Sequence, residues 1–237
     1  MSHPMSSTNP QAFGSEAANA GRVAVFLRRV YGWMALGLGV TAVVAFATAS
    51  SPTVVQAVVG NRLIFFGIII AELALVWYLS ARVNRLAPAT AASLFLAYSA
   101  LNGVTLSVIL LAYTGASVAN AFITTSAMFG ALAVYGSVTK SSLAWVGQVA
   151  FMGLVGVIVA SIVGYFWQNS MLQYLISIGG VVVFTGLTMW DAQRLKAMAL
   201  QVEGGPAATH AVVGALSLYL DFINLFLFVL RLFGRRR

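Results

Sequence analysis

Seven long apolar segments make up most of this chain and restrict what it can fold into. Each is close to the roughly 20 residues that a helix needs to cross a membrane, and all are far too long for β-strands. Only 8% of the 237 residues are charged, whereas a soluble domain carries about 25%. We therefore predict an all-α polytopic membrane protein with seven transmembrane helices, which cover residues 30–50, 63–79, 89–113, 117–138, 143–167, 171–200 and 209–233.

The chain is predicted to form one transmembrane domain, residues 22–237, behind a disordered N-terminal tail, residues 1–21. The tail is polar and small, and it lacks the apolar core and basic start of a secretory signal peptide. The connections at 113–117 and 167–171 are very short, so they require antiparallel neighbours and leave no room for a second domain. The chain contains no cysteine, which excludes disulfides, thiolate metal sites and a cysteine nucleophile.

The formal net charge of +8 does not indicate a nucleic-acid partner, because there is too little polar surface to build a basic groove. The lipid bilayer is the predicted partner, and the basic residues lie between the apolar segments, as they do in membrane proteins. With the N-terminus in the cytoplasm, eight basic residues lie inside and five outside. The inner set is Arg22, Arg28, Arg29, Arg82, Arg85, Lys140, Arg194 and Lys196, and the outer set is Arg62, Arg231, Arg235, Arg236 and Arg237.

Small residues recur at helical spacings in three of the predicted spans. Such residues let membrane helices approach each other closely. We therefore expect packing contacts at these positions, which are Gly32, Gly37 and Gly39 in the first span, Ser126 and Gly130 in the fourth, and Gly153 and Gly156 in the fifth.

Two aspartates follow apolar runs in the last two predicted spans. Asp191 and Asp221 are two of only five acidic residues in the chain. An ionisable residue inside a membrane is costly, so each is a candidate functional residue. At about 1.5 Å per residue they lie roughly 14 and 18 Å from the turn that joins the two helices. In an antiparallel hairpin these depths nearly match, so the two side chains can meet.

Two carboxylates in contact at low dielectric cannot both ionise cheaply, so such a pair titrates as a unit. With one shared proton the pair holds a strong hydrogen bond and can latch two helices together. Fully ionised, it either repels or attracts a cation. Two carboxylates with carbonyl, amide and water oxygens suit a transiently bound Ca²⁺, which takes six to eight oxygen ligands. No resident cofactor is expected, because Ca²⁺ would be the permeating ion.

Several other polar residues lie near this predicted pair. Arg194 lies at i+3 from Asp191 and can reach it on the same helical face, and Asn224 with Tyr219 are local partners of Asp221. Glu72, in the second span, either lines the same pathway or hydrogen-bonds to a neighbouring helix such as that of Asn102. Arg82 and Arg85 are predicted either to anchor the second span at the inner surface or to latch Asp191. His210 is predicted to be an interfacial residue and not a metal ligand.

At these residues the sequence resembles the Bax inhibitor-1 family, and its bacterial branch in particular. The resemblance rests on TGLTMWDAQRLK in the sixth span and GALSLYLDFINLFLFVLRL in the seventh. Weaker support comes from RRVYGWMALGLGV, AYSALNGVTLSVI and FGALAVYGSVTKSSLAWVGQ. One difference is that Trp-Asp-Ala-Gln stands where Tyr-Asp-Thr-Gln is commoner, so the acid is kept while two hydroxyls are lost.

The resemblance implies a bundle whose last helix is central, in the bacterial inner membrane. It also implies a pH-sensitive Ca²⁺ leak in which Asp191 and Asp221 form the proton-sensing pair. In that family an arginine of the second helix can latch one of the aspartates, which here corresponds to Arg82 or Arg85. Some bacterial relatives modulate a membrane-bound AAA protease, so a protease is a further candidate partner.

Three alternatives to a Ca²⁺ leak remain open from the sequence. An intramembrane aspartyl protease would use the same acid pair to activate water, but its Tyr-Asp and Gly-x-Gly-Asp motifs are not matched by Met-Trp-Asp and Tyr-Leu-Asp. We therefore predict that the protein is not an enzyme. A non-catalytic regulator of a membrane-bound protease or stress-response complex would act through its helix surfaces. A proton-coupled transporter would need a substrate pocket.

Overall fold

The protein is a bundle of α-helices, seen here in a computed structural model that describes residues 10–167, 169–202 and 205–237. Within those residues there are eight helices, and seven of them are long and apolar enough to span a membrane. This confirms the predicted all-α polytopic class. The helices are α1 (Pro10–Ala49), α2 (Pro52–Val59), α3 (Arg62–Ala81), α4 (Pro88–Ala112), α5 (Gly115–Val138), α6 (Ala144–Phe166), α7 (Ser170–Gln201) and α8 (Gly205–Phe233).

Two features near the N-terminus differ from the sequence prediction. Helix α1 begins at Pro10, within the segment 1–21 that was predicted to be a disordered tail, and residues 1–9 lie outside the described residues. The alanine-rich segment after Pro10 favours a helix, and it continues into the first span without a break. The short helix α2 was not predicted, because Pro52–Val59 lies between two predicted spans and is too short to cross a membrane. A proline in its first turn starts it.

Helix α8 forms the centre of the bundle. It packs against α1, α3, α4, α5 and α7, whereas α6 packs chiefly against α7. Residues on all sides of α8 are buried, among them Leu218, Tyr219 and Leu225 at 0% exposure. By contrast α3 and α6 expose many large apolar side chains, such as Leu63 and Phe166. A helix that is apolar on every face suits either a buried centre or a lipid-facing position, and both occur here.

The predicted small-residue contacts are only partly right. An added Cβ would meet Phe95 and Ser99 at Gly37, and Val183 at Gly153, so these two glycines do allow close packing. The expectation is wrong for the others, where a Cβ would meet nothing within 4 Å, namely Gly32, Gly39, Gly130 and Gly156. These positions face outward, and a small residue there has no neighbouring helix to approach.

The two ends of the bundle are defined by contacts between connecting segments. At one end the backbone amide of Thr114 donates to the Arg235 carbonyl at 3.1 Å, and that of Arg237 donates to the Ala112 carbonyl at 3.0 Å. At the other end the Thr209 hydroxyl donates to the Leu86 carbonyl at 3.1 Å. The basic tail therefore lies beside the α4–α5 connection, as expected for seven spans.

Candidate functional site

Asp221 is a carboxylic acid in the middle of the central helix, and only 5% of its surface is exposed. Of the polar atoms that the structure describes, its Oδ2 is one of two buried atoms with no hydrogen-bond partner. The other is the hydroxyl oxygen of Thr125 on α5. A buried, unsatisfied acceptor costs about 1–3 kcal/mol, and more when it is charged. Such an arrangement is typical of a site kept for function.

Helices α7 and α8 bring Asp191 to the same depth as Asp221. The Phe184 and Phe228 rings stack with centroids 5.9 Å apart, and at the other end Leu195 occupies the space beside the Cα of Gly214. Asp191 lies seven residues after Phe184, and Asp221 lies seven residues before Phe228. The two carboxyls are close enough to interact electrostatically, as the equal spacing predicts for antiparallel helices.

Asp191 differs from Asp221 because it also faces a partly enclosed cavity. This cavity has a volume of about 330 Å³, and helix α3 and the N-terminal part of α8 form its other walls. Arg194 lies in the same wall, its charge acts on Asp191, and its guanidinium stacks 5.4 Å from the Trp190 ring centroid. The polar lining of the cavity comes from Ser80, Asp191, Arg194, His210 and Ser217.

The arginines proposed as latches are placed differently from one another. Arg194 is the one whose charge acts on Asp191. Arg82 is the C-cap of α3 and stacks on the Tyr78 ring, with its Cζ 5.7 Å from the centroid. Both Arg82 and Arg85 are exposed, which matches the surface-anchor alternative. The cavity wall beside them is formed by Ser80 and Val83.

The end of α7 that follows Asp191 is held in place by side chains from the same motif. Gln193 accepts a hydrogen bond from the Leu143 amide at 2.8 Å and donates one to the Ser141 carbonyl at 2.8 Å. Lys196 donates to the Ser137 carbonyl at 2.7 Å. These bonds fix α7 to the end of α5 and to the α5–α6 connection, in addition to its packing against α8.

Glu72 belongs to a chain of hydrogen bonds across four helices. Its carboxylate accepts a bond from Thr105 at 3.0 Å and lies within reach of Asn102, both on α4. The Tyr219 hydroxyl donates to Asn102 Oδ1 at 3.1 Å, and it also contacts the Thr41 hydroxyl at 2.6 Å. Glu72 was expected either to line the pathway of the acid pair or to hydrogen-bond to a neighbouring helix. The observed bond to Thr105 corresponds to the second alternative, because Thr105 and Asn102 lie on the same helix.

Replacing Tyr219 with phenylalanine is expected to destabilise the protein, because it removes the hydroxyl that joins α1, α4 and α8. The loss leaves Asn102 Oδ1 buried without its donor, at a cost of about 1–3 kcal/mol. Thermal unfolding in detergent should show a lower midpoint for Tyr219→Phe. Tyr135→Phe is the control, because Tyr135 is 52% exposed, and equal midpoints for the two variants would contradict the prediction.

Asn224 does not join the acid pair in the way that its i+3 spacing suggested. Its amide donates to the Leu220 carbonyl of its own helix at 2.8 Å. It also lines a separate apolar cleft between α6 and α8. Among the described residues there is no group of three or more His, Cys, Asp or Glu side chains that could hold a metal. A cation at the acid pair would therefore need carbonyl or water oxygens to complete its shell.

Sequence reasoning missed some residues of this site. It gave His210 only an interfacial role, whereas His210 shares the cavity with Asp191. It also treated Tyr219 as a local partner of Asp221, whereas its hydroxyl bonds to α1 and α4. One signal was available for His210, since it lies just after the turn that joins α7 to α8. Nothing in the sequence indicates which face of α8 carries Tyr219.

The fold and this site define a polytopic α-helical membrane protein with an acid pair between its last two spans. A family model described as "Inhibitor of apoptosis-promoting Bax1" matches residues 23–237. The chain therefore belongs to the Bax inhibitor-1 family.

Relatives from three bacteria match nearly the whole chain. The "Inner membrane protein YbhL" of Escherichia coli (strain K12) is 45% identical over 215 residues, which are 90% of this chain and 92% of that protein. An uncharacterised protein of Borreliella burgdorferi is 43% identical over 90% of this chain and 92% of its own length. An uncharacterised membrane protein of Streptococcus pyogenes serotype M1 is 38% identical over 89% of this chain and 92% of its own length.

Proposed function

We propose that this protein is a pH-sensitive, Ca²⁺-permeable leak, controlled by a proton shared between Asp191 and Asp221. The observation that supports the proposal is the placement of these two carboxyls at one depth of the bundle, close enough to interact electrostatically, with Asp221 buried and incompletely hydrogen-bonded. An acid pair in that environment is a natural proton switch, because its charge changes as a unit. The role is non-enzymatic.

The charge state of the pair would set the packing of α7 against α8. With one proton, the two carboxyls share a hydrogen bond that holds the helices together. When the proton leaves, two negative charges repel in a medium of low dielectric, or a cation enters between them. Because α8 packs against five other helices, a shift at Asp221 would be transmitted to most of the bundle.

The cavity beside Asp191 would be the entrance to the pathway. It is lined by an acid and by hydroxyl groups, and it lies near the end of the bundle that holds the α7–α8 turn. Arg194 and His210 in its wall would tune both the entry of cations and the protonation of Asp191. Asp221 lies deeper, so it would be the barrier that opens or closes the path.

The protein is proposed to lie in the bacterial inner membrane, with its N-terminus in the cytoplasm. Its relative in Escherichia coli is named as an inner membrane protein. Eight of the thirteen basic residues lie at the end of the bundle that carries the N-terminus, which favours a cytoplasmic position for that end. The Asp191 cavity would then open toward the cytoplasm.

The test is Ca²⁺ flux from proteoliposomes over a series of pH values. Wild type is expected to leak Ca²⁺ with a titration near neutrality, and Asp191→Asn and Asp221→Asn are each expected to flatten the pH dependence. Glu72→Gln is the matched control, because it removes the third intramembrane acid and should keep the pH response. If wild type is silent at every pH, or if all three variants behave alike, the acid-pair switch is rejected.

If wild-type protein shows no Ca²⁺ flux at any pH, the non-catalytic regulator becomes the favoured role. Purification with bound partners separates the two roles, since a regulator would keep its partner in the Asp191→Asn and Asp221→Asn variants. A protease is the partner class to examine first, and its retention by both variants would place the function on the helix surfaces.

A further inference from the structure

The end of the bundle opposite the N-terminus carries positive charge that no acidic side chain balances. Arg62, Arg231 and the three arginines at 235–237 lie there, and the connecting segments at 50–61, 113–114, 167–169 and 234–237 contain no Asp or Glu. Membrane proteins normally concentrate Lys and Arg at the cytoplasmic end. A basic cluster at the other end therefore needs a separate physical reason, such as an anionic ligand.

Two of these arginines line a polar cleft of about 460 Å³. Arg231 stacks on Phe228 with its Cζ 5.6 Å from the ring centroid, and Arg236 stacks on Tyr113 at 5.9 Å. Each guanidinium therefore lies over an aromatic ring at the cleft, and guanidinium N–H groups can bind phosphate oxygens in pairs. The rest of the lining comes from the end of α6 and the start of α7, namely Gly164, Tyr165, Asn169, Ser170 and Gln173.

An apolar cleft of about 440 Å³ adjoins this polar cleft. It exists because α6 and α8 each pack against α7, which leaves a gap between them. Tyr165 lines both clefts, and Phe228 in the apolar cleft carries the stacked Arg231. The two clefts therefore form one continuous surface, apolar along α6 and α8 and basic at its end.

The aromatic side chains of α6 indicate where this surface lies in the bilayer. Trp145 and Trp167 are 71% and 70% exposed near the two ends of the helix, and tryptophan is enriched at membrane interfaces. Their separation of 22 residues corresponds to about 33 Å, close to the thickness of the hydrocarbon core. The basic cleft beside Tyr165 is then at the level of the lipid headgroups, and the apolar cleft is at the level of the acyl chains.

We propose that the two clefts form a binding site for one anionic phospholipid. Its phosphate lies between Arg231 and Arg236, and one acyl chain lies in the gap between α6 and α8. The charge of the cleft selects an anionic headgroup, and the continuity with the apolar cleft selects a lipid over a free phosphate. This site is independent of the acid pair.

Native mass spectrometry of delipidated protein tests the site. Dioleoyl phosphatidylglycerol is expected to bind with one molecule per chain, and dioleoyl phosphatidylcholine is expected to bind more weakly. Each arginine near a membrane surface contributes about fivefold in affinity, so Arg231→Gln with Arg236→Gln should weaken phosphatidylglycerol binding about 25-fold. Arg82→Gln with Arg85→Gln is the matched control, because it removes the same charge at the opposite end.

A second variant tests the acyl-chain half of the site. Ser161 lines the apolar cleft, and its hydroxyl donates to the Val157 carbonyl of its own helix. Ser161→Phe should fill the cleft and weaken phosphatidylglycerol binding while both arginines remain.

Four results would overturn the proposal. The first is equal affinity for phosphatidylglycerol and phosphatidylcholine, and the second is an equal loss of affinity in the Arg82→Gln, Arg85→Gln control. The third is a dimer of the chain in place of bound lipid. The fourth is unchanged lipid binding by Ser161→Phe together with full displacement of the lipid by glycerol 3-phosphate. The last would indicate a phosphate site only. Circular dichroism of each variant verifies its folding, and the two single arginine variants replace the double variant if it does not fold.

Discussion

Asp221→Asn is expected to make the protein more stable while removing its pH response. The wild-type carboxyl is buried, has one oxygen without a hydrogen-bond partner, and lies beside a second acid. An asparagine of nearly the same shape carries no charge, so it costs less to bury and does not repel Asp191. Relief of one unsatisfied buried group is worth about 1–3 kcal/mol, and each kcal/mol raises the unfolding midpoint by about 2–4 °C for a chain of this size.

Thermal unfolding in detergent, at one pH and at matched protein concentration, measures this effect. Glu72→Gln is the control, because the Glu72 carboxyl accepts from Thr105 and lies within reach of Asn102. That variant removes a satisfied acid and should not raise the midpoint. A lower midpoint for Asp221→Asn would mean that the carboxyl stabilises the contact between α7 and α8 more than an amide does, and it would contradict the prediction that burial of this acid is costly.

The membrane class and the number of spans could be predicted because they depend on hydropathy alone. A segment of about 20 apolar residues satisfies its own backbone hydrogen bonds in lipid by forming a helix. The depth match of Asp191 and Asp221 could also be predicted, since a short turn and a fixed rise per residue define it. Helix α2 and the start of α1 at Pro10 depend on local propensity, which is a weaker signal than hydropathy.

The partners of individual residues could not be predicted, because they depend on which helices become neighbours. Gly37 and Gly39 look alike in the sequence, yet a Cβ would meet Phe95 at the first and nothing within 4 Å at the second. The hydroxyl of Tyr219 reaches α1 and α4, because the face of α8 that carries it turns toward those helices. To predict such contacts one must know the rotation of each helix about its own axis. A helix that is apolar on every face has no sequence pattern that indicates this rotation.

Replacement of Gly136 by alanine is expected to destabilise the protein strongly. Gly136 on α5 lies against the backbone of α7, where an added Cβ would overlap the carbonyl oxygen of Met189. A backbone atom cannot rotate away as a side chain can, so Gly136→Ala would have to separate α5 from α7. We expect a loss of about 3 kcal/mol, the upper end of the range for overpacking, with an unfolding midpoint lower by roughly 6–12 °C.

Gly130→Ala is the matched control on the same helix, because a Cβ there would meet nothing within 4 Å. It should be neutral or stabilising by about 1 kcal/mol, since alanine favours helix over glycine. Equal midpoints for the two variants would mean that α5 and α7 do not pack as closely as described. Because Met189 precedes Asp191 by two residues, displacement of α7 should also disturb the acid pair. Folded Gly136→Ala protein should then show a shifted pH dependence of Ca²⁺ flux, while Gly130→Ala protein keeps the wild-type response.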